Sequence, residues 1–271
     1  MFLNIVLVLA ILSAVAFMFL TNMVTAWYHI LIFLGVCVVS VVIWVFLYAL
    51  FLFLWSLTID KKKEVKKTSK FYGMIVRETM TMLLFFSRAH VHIEGKEKLP
   101  KDSKFLLVAN HRSNYDPITS VVKFAKNDMI FVSKPENFNI PIAGAFMHRA
   151  GFIPIDRDNP KNALVTINKA AEYLKNQEVS VGIFPEGTRN RTEETMLEFK
   201  NGAFKIATKA QVPIVVVAMK NMGMVKKNFP WKSTHVYAKI VDVITKEEVM
   251  NSNTAELSNR ARTAMLAYLE E

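Results

Sequence analysis

The sequence predicts an α/β domain, a mostly parallel sheet flanked by helices, preceded by an N-terminal hydrophobic two-helix membrane hairpin. Three observations predict it. Residues 1–59 hold no Asp, Glu, Lys or Arg, and their one histidine is His29. The formal net charge of +11 therefore falls wholly on residues 60–271. Within that second part, runs rich in Val and Ile alternate with stretches of helical period, the pattern of strands joined by helices.

The first region, 1–59, reads as a membrane anchor. Its apolar stretches, 2–20 and 30–57, are each long enough to cross roughly 30 Å of hydrocarbon at about 1.5 Å per helical residue. The uncharged "TNMVTAWYH" between them carries Trp27 and Tyr28, residue types that favour membrane interfaces. A signal peptide is the competing reading of residues 2–20, but no basic stretch precedes them and a second apolar segment follows. A hairpin that spans the bilayer and one that dips into a single leaflet both fit. The following "DKKKEVKK", 60–67, is positive charge beside a membrane helix, which marks the cytoplasmic side. The expectation is a protein of the cell membrane with its 60–271 domain on the cytoplasmic face, against anionic lipids.

That domain, 60–271, has a usual size for one core. Strands are expected at 104–110, 129–134, 151–156, 179–184, 212–219 and 234–244. Residues 161–176 place Leu164, Ile167, Ala171 and Leu174 at helical spacing behind Asn159 and Pro160, a cap and first turn. Residues 254–270 repeat the pattern behind Asn253 and Glu256, spaced as a capping box. Strands alternating with helices predict a sheet covered on both faces, with functional loops at the carboxyl ends of the strands.

A basic domain behind an apolar segment points to anionic partners: lipid headgroups, an acidic carrier or phosphorylated substrates. No nucleic-acid motif is present, so nucleic acid is not expected. The one cysteine, Cys37, lies inside the apolar segment, which excludes an intrachain disulfide and a cysteine zinc cluster. The six histidines show no zinc spacing, and His90 and His92 read as strand neighbours. No metal and no cofactor are expected.

The chemistry concentrates at strand ends. In "LLVANHRSNYDP", 106–117, His111 follows a strand and Asp116 comes five residues later, with Pro117 interrupting a continuous helix. A carboxylate at that distance holds one imidazole nitrogen as a donor, leaves the other to take a proton, and stabilises the imidazolium. The alternative is a structural histidine and an aspartate that caps the next helix. "GIFPEGTRN", 182–190, ends another strand: Gly187 permits a tight turn, Glu186 and Arg189 point polar groups at one place, and a guanidinium suits phosphate. An ordinary turn with a local ion pair is its competing reading. "GFIPIDRD", 151–158, ends a third strand with Arg157. "KKNFPWKST", 226–234, mixes lysines with Phe229 and Trp231. It is either a solvated loop or one that meets the membrane interface or a donor's phosphates.

These stretches resemble a known family. "NHRSNYD", "GFIPIDR", "FPEGTR" and "VPIVVVAM" are similar, in order and spacing, to the four sequence blocks of the glycerolipid acyltransferases, and "VHIEGKEKLP" to the lead-in before the first. The resemblance runs from about 90 to 220 and is strongest to the 1-acyl-sn-glycerol-3-phosphate acyltransferases. It implies transfer of a fatty acyl chain from acyl-CoA or acyl carrier protein to the free hydroxyl of lysophosphatidate, giving phosphatidate. It implies His111 as general base, Asp116 as its orienting partner, and Arg157 at the acceptor phosphate. Glu186, Gly187 and Arg189 would position the glycerol phosphate. Lys134 would add a phosphate contact, although "SKPENF" departs from the usual Lys-x-Glu-Leu. Pro213 would shape its strand on the donor side. An acyltransferase for another lysophospholipid or hydroxylated acceptor, a tethered thioester hydrolase and a non-catalytic lipid-binding module are the alternatives.

Overall fold

The computed structural model describes residues 2–23, 28–124, 126, 128–156 and 159–271. Trp27 of the expected interfacial turn and Arg157 of the expected phosphate site lie outside the described residues. The chain divides into two compact units, Met1–Asp60 and Lys61–Glu271.

In the first unit, α1 (Phe2–Leu20) packs against α2 (His29–Leu57). The face that α1 buries is Val6, Ala10, Ala14 and Met18, one residue per turn. Its two alanines let the helices approach closely, the usual way for apolar helices to associate without a hydrophobic drive between them. The Trp44 indole N–H donates to the Ser13 hydroxyl at 3.0 Å across the pair. Both helices are long and apolar enough to cross a membrane. The rest of α2 is apolar and largely exposed, which water would penalise and hydrocarbon would not.

The second unit begins with a polar segment pinned by hydrogen bonds through both its side chains and its backbone. Lys61 donates to the Phe138 carbonyl at 3.1 Å, the Tyr173 hydroxyl to the Val65 carbonyl at 3.1 Å, and Thr68 N–H to Glu178 at 3.0 Å. Its elements follow as α3 (Lys70–Phe86), β1 (Ala89–Glu94), β2 (Leu106–Ala109), α4 (Tyr115–Lys123), β3 (Met129–Ser133), α5 (Ala143–Ala150) and β4 (Ile153–Pro154). Then come α6 (Pro160–Lys175), β5 (Ser180–Ile183), α7 (Lys205–Ala210), β6 (Ile214–Lys220), α8 (Met224–Asn228), β7 (Thr234–Ile244), α9 (Lys246–Asn251) and α10 (Thr254–Leu269).

The seven strands form one sheet in the order β1-β7-β6-β2-β5-β3-β4. Strands β6, β2, β5, β3 and β4 run parallel; β7 pairs antiparallel with β6, and β1 runs parallel with β7. Strands β2, β5 and β6 are buried along almost their whole length, as parallel strands covered on both faces must be. The β1–β7 edge differs from the expectation of cover on both faces. Its burial alternates, and His90, His92, His235 and Tyr237 line an exposed face. Polar and aromatic side chains at every second position make that face tolerable to water.

All six expected strands are present: β2, β3 and β5 are shorter than expected, β4 keeps only Ile153–Pro154, β6 starts later and ends one residue later, and β7 matches 234–244. Helices α6 and α10 start at the expected caps. Asn159 accepts from the amides of Lys161 and Asn162, and Asn253 and Glu256 close a capping box. Leu164 of the expected α6 core stripe is exposed, and Ala170 is buried with Ile167, Ala171 and Leu174 instead.

Candidate active site

The histidine turn begins where β2 ends. Asn110 is buried, and its side-chain amide imitates one more strand residue: Nδ2 donates to the Met219 carbonyl at 3.0 Å and Oδ1 accepts the Met219 amide at 2.8 Å. This ties the end of β2 to β6 after the backbone has turned away. The next residue, His111, is fixed by its main chain as well. Its N–H donates to Glu186 Oε1 at 2.6 Å and its carbonyl accepts from Asn190 N–H at 2.7 Å.

The imidazole is gripped at an edge and on a face. Nδ1 lies 2.8 Å from Asp116 Oδ2. The same oxygen accepts the amides of Arg112 and Ser113, each at 2.7 Å. Asp116 thus closes the turn behind it and does not cap the helix that follows. It stands in the first turn of α4 beside Pro117, whose missing N–H is harmless there. Its carboxyl is 1% exposed against 16% for the His111 side chain. Oδ1 of Asp116 is buried and accepts no hydrogen bond among the described residues.

On its face the imidazole stacks on Phe184, centroids 4.1 Å apart and planes 13° apart, and Phe184 stacks on Phe131 at 5.1 Å. The pile rests on Gly182 of β5. A Cβ there would come within 2.3 Å of the Phe131 ring. With Nδ1 carrying the proton given to Asp116, Nε2 is the nitrogen left to act as an acceptor.

His111 opens into a cavity of about 370 Å³ whose wall includes Asn114, Lys134, Phe184, Arg189 and Arg191. Arg189 Nη1 donates to Asn114 Oδ1 at 2.7 Å. Lys134 and Arg191 are exposed, so the wall facing the histidine is cationic and reachable from solvent.

The structure separates residues that the sequence grouped. Glu186, expected to position the acceptor, does not line this cavity. It is 4% exposed, and its oxygens accept the amides of His111 and Leu197, the latter at 3.0 Å. Burial raises its carboxyl pKa, and the two amide hydrogen bonds oppose that rise. The alternative ion pair with Arg189 does not form either. Gly187 also stays off the cavity wall; it adopts φ +75°, and a Cβ there would meet the end of the Lys200 side chain at 2.9 Å. It sets the turn that sends Glu186 inward and Arg189 outward. Sequence reasoning gave no role to Asn110, Gly182, Phe131, Phe184 or Arg191. For Asn110 the available signal was an amide at the end of an apolar run.

A sequence model of the acyltransferase family matches residues 90–220, which hold every group just described. Residues 90–220 belong to the acyltransferase family. Across 199 residues the chain is 29% identical to human 1-acyl-sn-glycerol-3-phosphate acyltransferase alpha, covering 73% of this chain and 70% of the human protein. Against the Saccharomyces cerevisiae 1-acyl-sn-glycerol-3-phosphate acyltransferase it is 30% identical over 184 residues, 67% of this chain and 60% of the yeast protein. The fold matches the crystal structure of PlsC, the 1-acyl-sn-glycerophosphate (LPA) acyltransferase of Thermotoga maritima, with a TM-score of 0.63 at 24% identity, over 83% of this chain and 88% of that one. The acyltransferase domain therefore places its histidine where the carboxyl ends of the central parallel strands gather.

Proposed function

We propose that this acyltransferase moves a fatty acyl group from acyl-CoA or acyl carrier protein to the free hydroxyl of 1-acyl-sn-glycerol 3-phosphate, forming phosphatidate. One observation carries the reading: the oriented His111 faces a cavity whose wall bears Arg189, Arg191 and Lys134. A base and an anion-binding wall across one cavity fit an acceptor with a hydroxyl near a phosphate. The names of the human and yeast relatives support the same acceptor.

Nε2 of His111 takes the hydroxyl proton as the acceptor oxygen attacks the thioester carbonyl. Asp116 stabilises the imidazolium so formed. The C–S bond then breaks, and the leaving thiolate recovers the proton from Nε2. This route draws on no cofactor or metal: the thioester is activated, and a placed base contributes about 10²–10⁴-fold, with proximity adding to it. Glu186 and Asn110 act as positioning residues that hold the turn. Gly187 directs Arg189 to the glycerol phosphate, and Arg157 is a further cation for that phosphate.

The two apolar helices anchor the enzyme to the cell membrane, with residues 60–271 on the cytoplasmic face beside anionic lipids. This reading rests on the "DKKKEVKK" run after α2. It leaves the acceptor's tail in the bilayer and brings its headgroup to His111.

The test is purified full-length protein in phosphatidylglycerol-containing vesicles, given labelled acyl-CoA or acyl carrier protein and a panel of acceptors. Phosphatidate from lysophosphatidate is the expected product. Rapid thioester cleavage without lipid product would instead identify a hydrolase, and equal acylation of lysophosphatidylcholine a broader acyltransferase.

A further inference from the structure

Outside the catalytic cavity, the Lys61–Glu271 unit carries an exposed aromatic tip that the proposed chemistry does not use. Trp231 is 85% exposed and Phe229 51%, in the short connection between α8 and β7. Leu83, Phe85 and Phe86 at the end of α3 are exposed as well. The two elements are joined by Arg88, whose guanidinium donates to the carbonyls of Pro230 and Trp231 at 3.3 and 3.2 Å. Thr234 N–H returns to the Arg88 carbonyl at 3.0 Å, and Lys232 N–H donates to the Asn228 carbonyl at 2.8 Å. Backbone and side-chain hydrogen bonds therefore hold the bulky residues outward.

The stretches of chain that form the tip carry charge of one sign. Lys226, Lys227 and Lys232 flank it with Arg88, and neither 79–93 nor 221–241 contains an Asp or Glu. Exposed Trp and Phe ringed by lysines match an anionic lipid interface, where an indole sits at headgroup depth and ammonium groups meet phosphates.

Strand register gives the tip its direction. Because β1 and β7 run opposite to the central strands, their amino ends lie at the edge where β2 and β6 end. The β6–β7 pairing stops at Lys220↔Tyr237, while β1 starts level with Thr234. Val217 pairs with both Ala109 and Ile240, so His111, two residues past Ala109, stands near the level of Ala238. Thr234 lies four residues beyond that level, about 13 Å at roughly 3.3 Å per strand residue, and Trp231 precedes Thr234.

We infer that the Phe229–Trp231 tip, with the end of α3, is a second membrane contact, inserted into the interface of an anionic bilayer and separate from the N-terminal helices. Insertion by about 5–10 Å, the usual depth of interfacial elements, leaves His111 just above the headgroup boundary, where a lysolipid hydroxyl lies. The tip sets the height and orientation of the cavity.

Depth is read without turnover, so this test is independent of the substrate assignment. In full-length protein with Trp27, Trp44 and Trp55 replaced by Phe, Trp231 is the sole indole. Reconstituted in phosphatidylglycerol vesicles, its emission should be blue-shifted, quenched by lipids brominated near the glycerol end of the chain, and protected from iodide. Emission open to iodide and unquenched by bromolipid overturns the inference. Protection from both quenchers also overturns it, since protein then covers the tip. As a second readout, Phe229→Ser with Trp231→Ser should raise KM for a vesicle-borne acceptor about fivefold or more through loss of the competent orientation. The rate on a short-chain acceptor in free solution should stay within about twofold, which reports an intact fold. An unchanged vesicle KM, or an equal loss on both acceptors, counts against the tip.

Discussion

Glu186 and Arg189 stand three residues apart in one turn and belong to opposite kinds of structure. Glu186 faces inward, almost wholly buried, with both oxygens spent on the amides of His111 and Leu197. Arg189 faces the cavity and, among the described residues, keeps one hydrogen bond, to Asn114. The inward half joins a rigid frame of the histidine main chain, Asp116, the Phe184 stack and the Asn110 bridge. The outward half is a set of cations on long, solvated side chains. The base must stand at one position to move a proton, and that needs preorganisation. The anion wall can gain its order from the ligand, because a guanidinium or ammonium reaches phosphate from many rotamers.

Breaking the rigid half should cost most. His111→Ala is expected to lower kcat by about 10³-fold or more, toward the top of the range for a general base. Asp116→Asn is expected to do less damage, because the imidazole keeps its stacking and its main-chain anchors. Initial rates at saturating acceptor decide this. A His111→Ala enzyme that keeps more than about a tenth of kcat removes the base assignment.

Breaking the outward half should change selection more than rate. Arg189→Ala removes one charge-assisted contact of about 1.5–3 kcal/mol, so kcat/KM for lysophosphatidate should fall roughly 10- to 150-fold. The preference over lysophosphatidylcholine of equal chain length should shrink with it. If the competition ratio is unmoved, the phosphate contact lies with Lys134 or Arg191.

Gly182→Ala sharpens the comparison, since it touches neither substrate nor base. The added Cβ collides with the Phe131 ring that supports Phe184 and His111. Overpacking of this kind costs about 1–3 kcal/mol. A drop in kcat with KM held is expected alongside a lower Tm, and restoration by Gly182→Ala combined with Phe131→Leu would show that the stack transmits the effect. A fall in Tm without a change in kcat would make the stack structural only.

The smallest expected effect is on stability against pH. Burial raises the folded pKa of Glu186, so between its unfolded and folded values the native state holds more protons than the unfolded chain. Its contribution to stability is then full below the unfolded pKa and declines as pH rises through the folded one. Urea midpoints measured across the weakly acidic range should carry this slope. Glu186→Gln should lose it, at a cost of about 1–3 kcal/mol from turning an amide donor toward another donor. Equal slopes in the two proteins would place the titration elsewhere.

Several of these features were legible as one-dimensional patterns. An uncharged run before a basic remainder separates the apolar helices from the domain, because hydrocarbon and water select opposite compositions. Val/Ile runs marked six strands, and Asn159 and Asn253 marked two helix starts, because caps and strand periods are local. The His111–Asp116 pair was readable because five residues of turn suffice to bring the partners together. The two-sided use of "FPEGTR" was not readable, since Glu186 and Arg189 are equally polar on paper. Only the packing of residues 110, 111 and 197 against the strand end shows which of them is buried. The same holds for Gly182, whose missing Cβ matters because Phe131 arrives from a neighbouring strand, while for residues 226–234 the sequence left a solvated loop and an interfacial one both open. Strand direction, which composition does not encode, brings α3 and the α8–β7 connection to the edge that holds His111. Burial, register and stacking join residues far apart in the chain, so they exist only once the chain has folded.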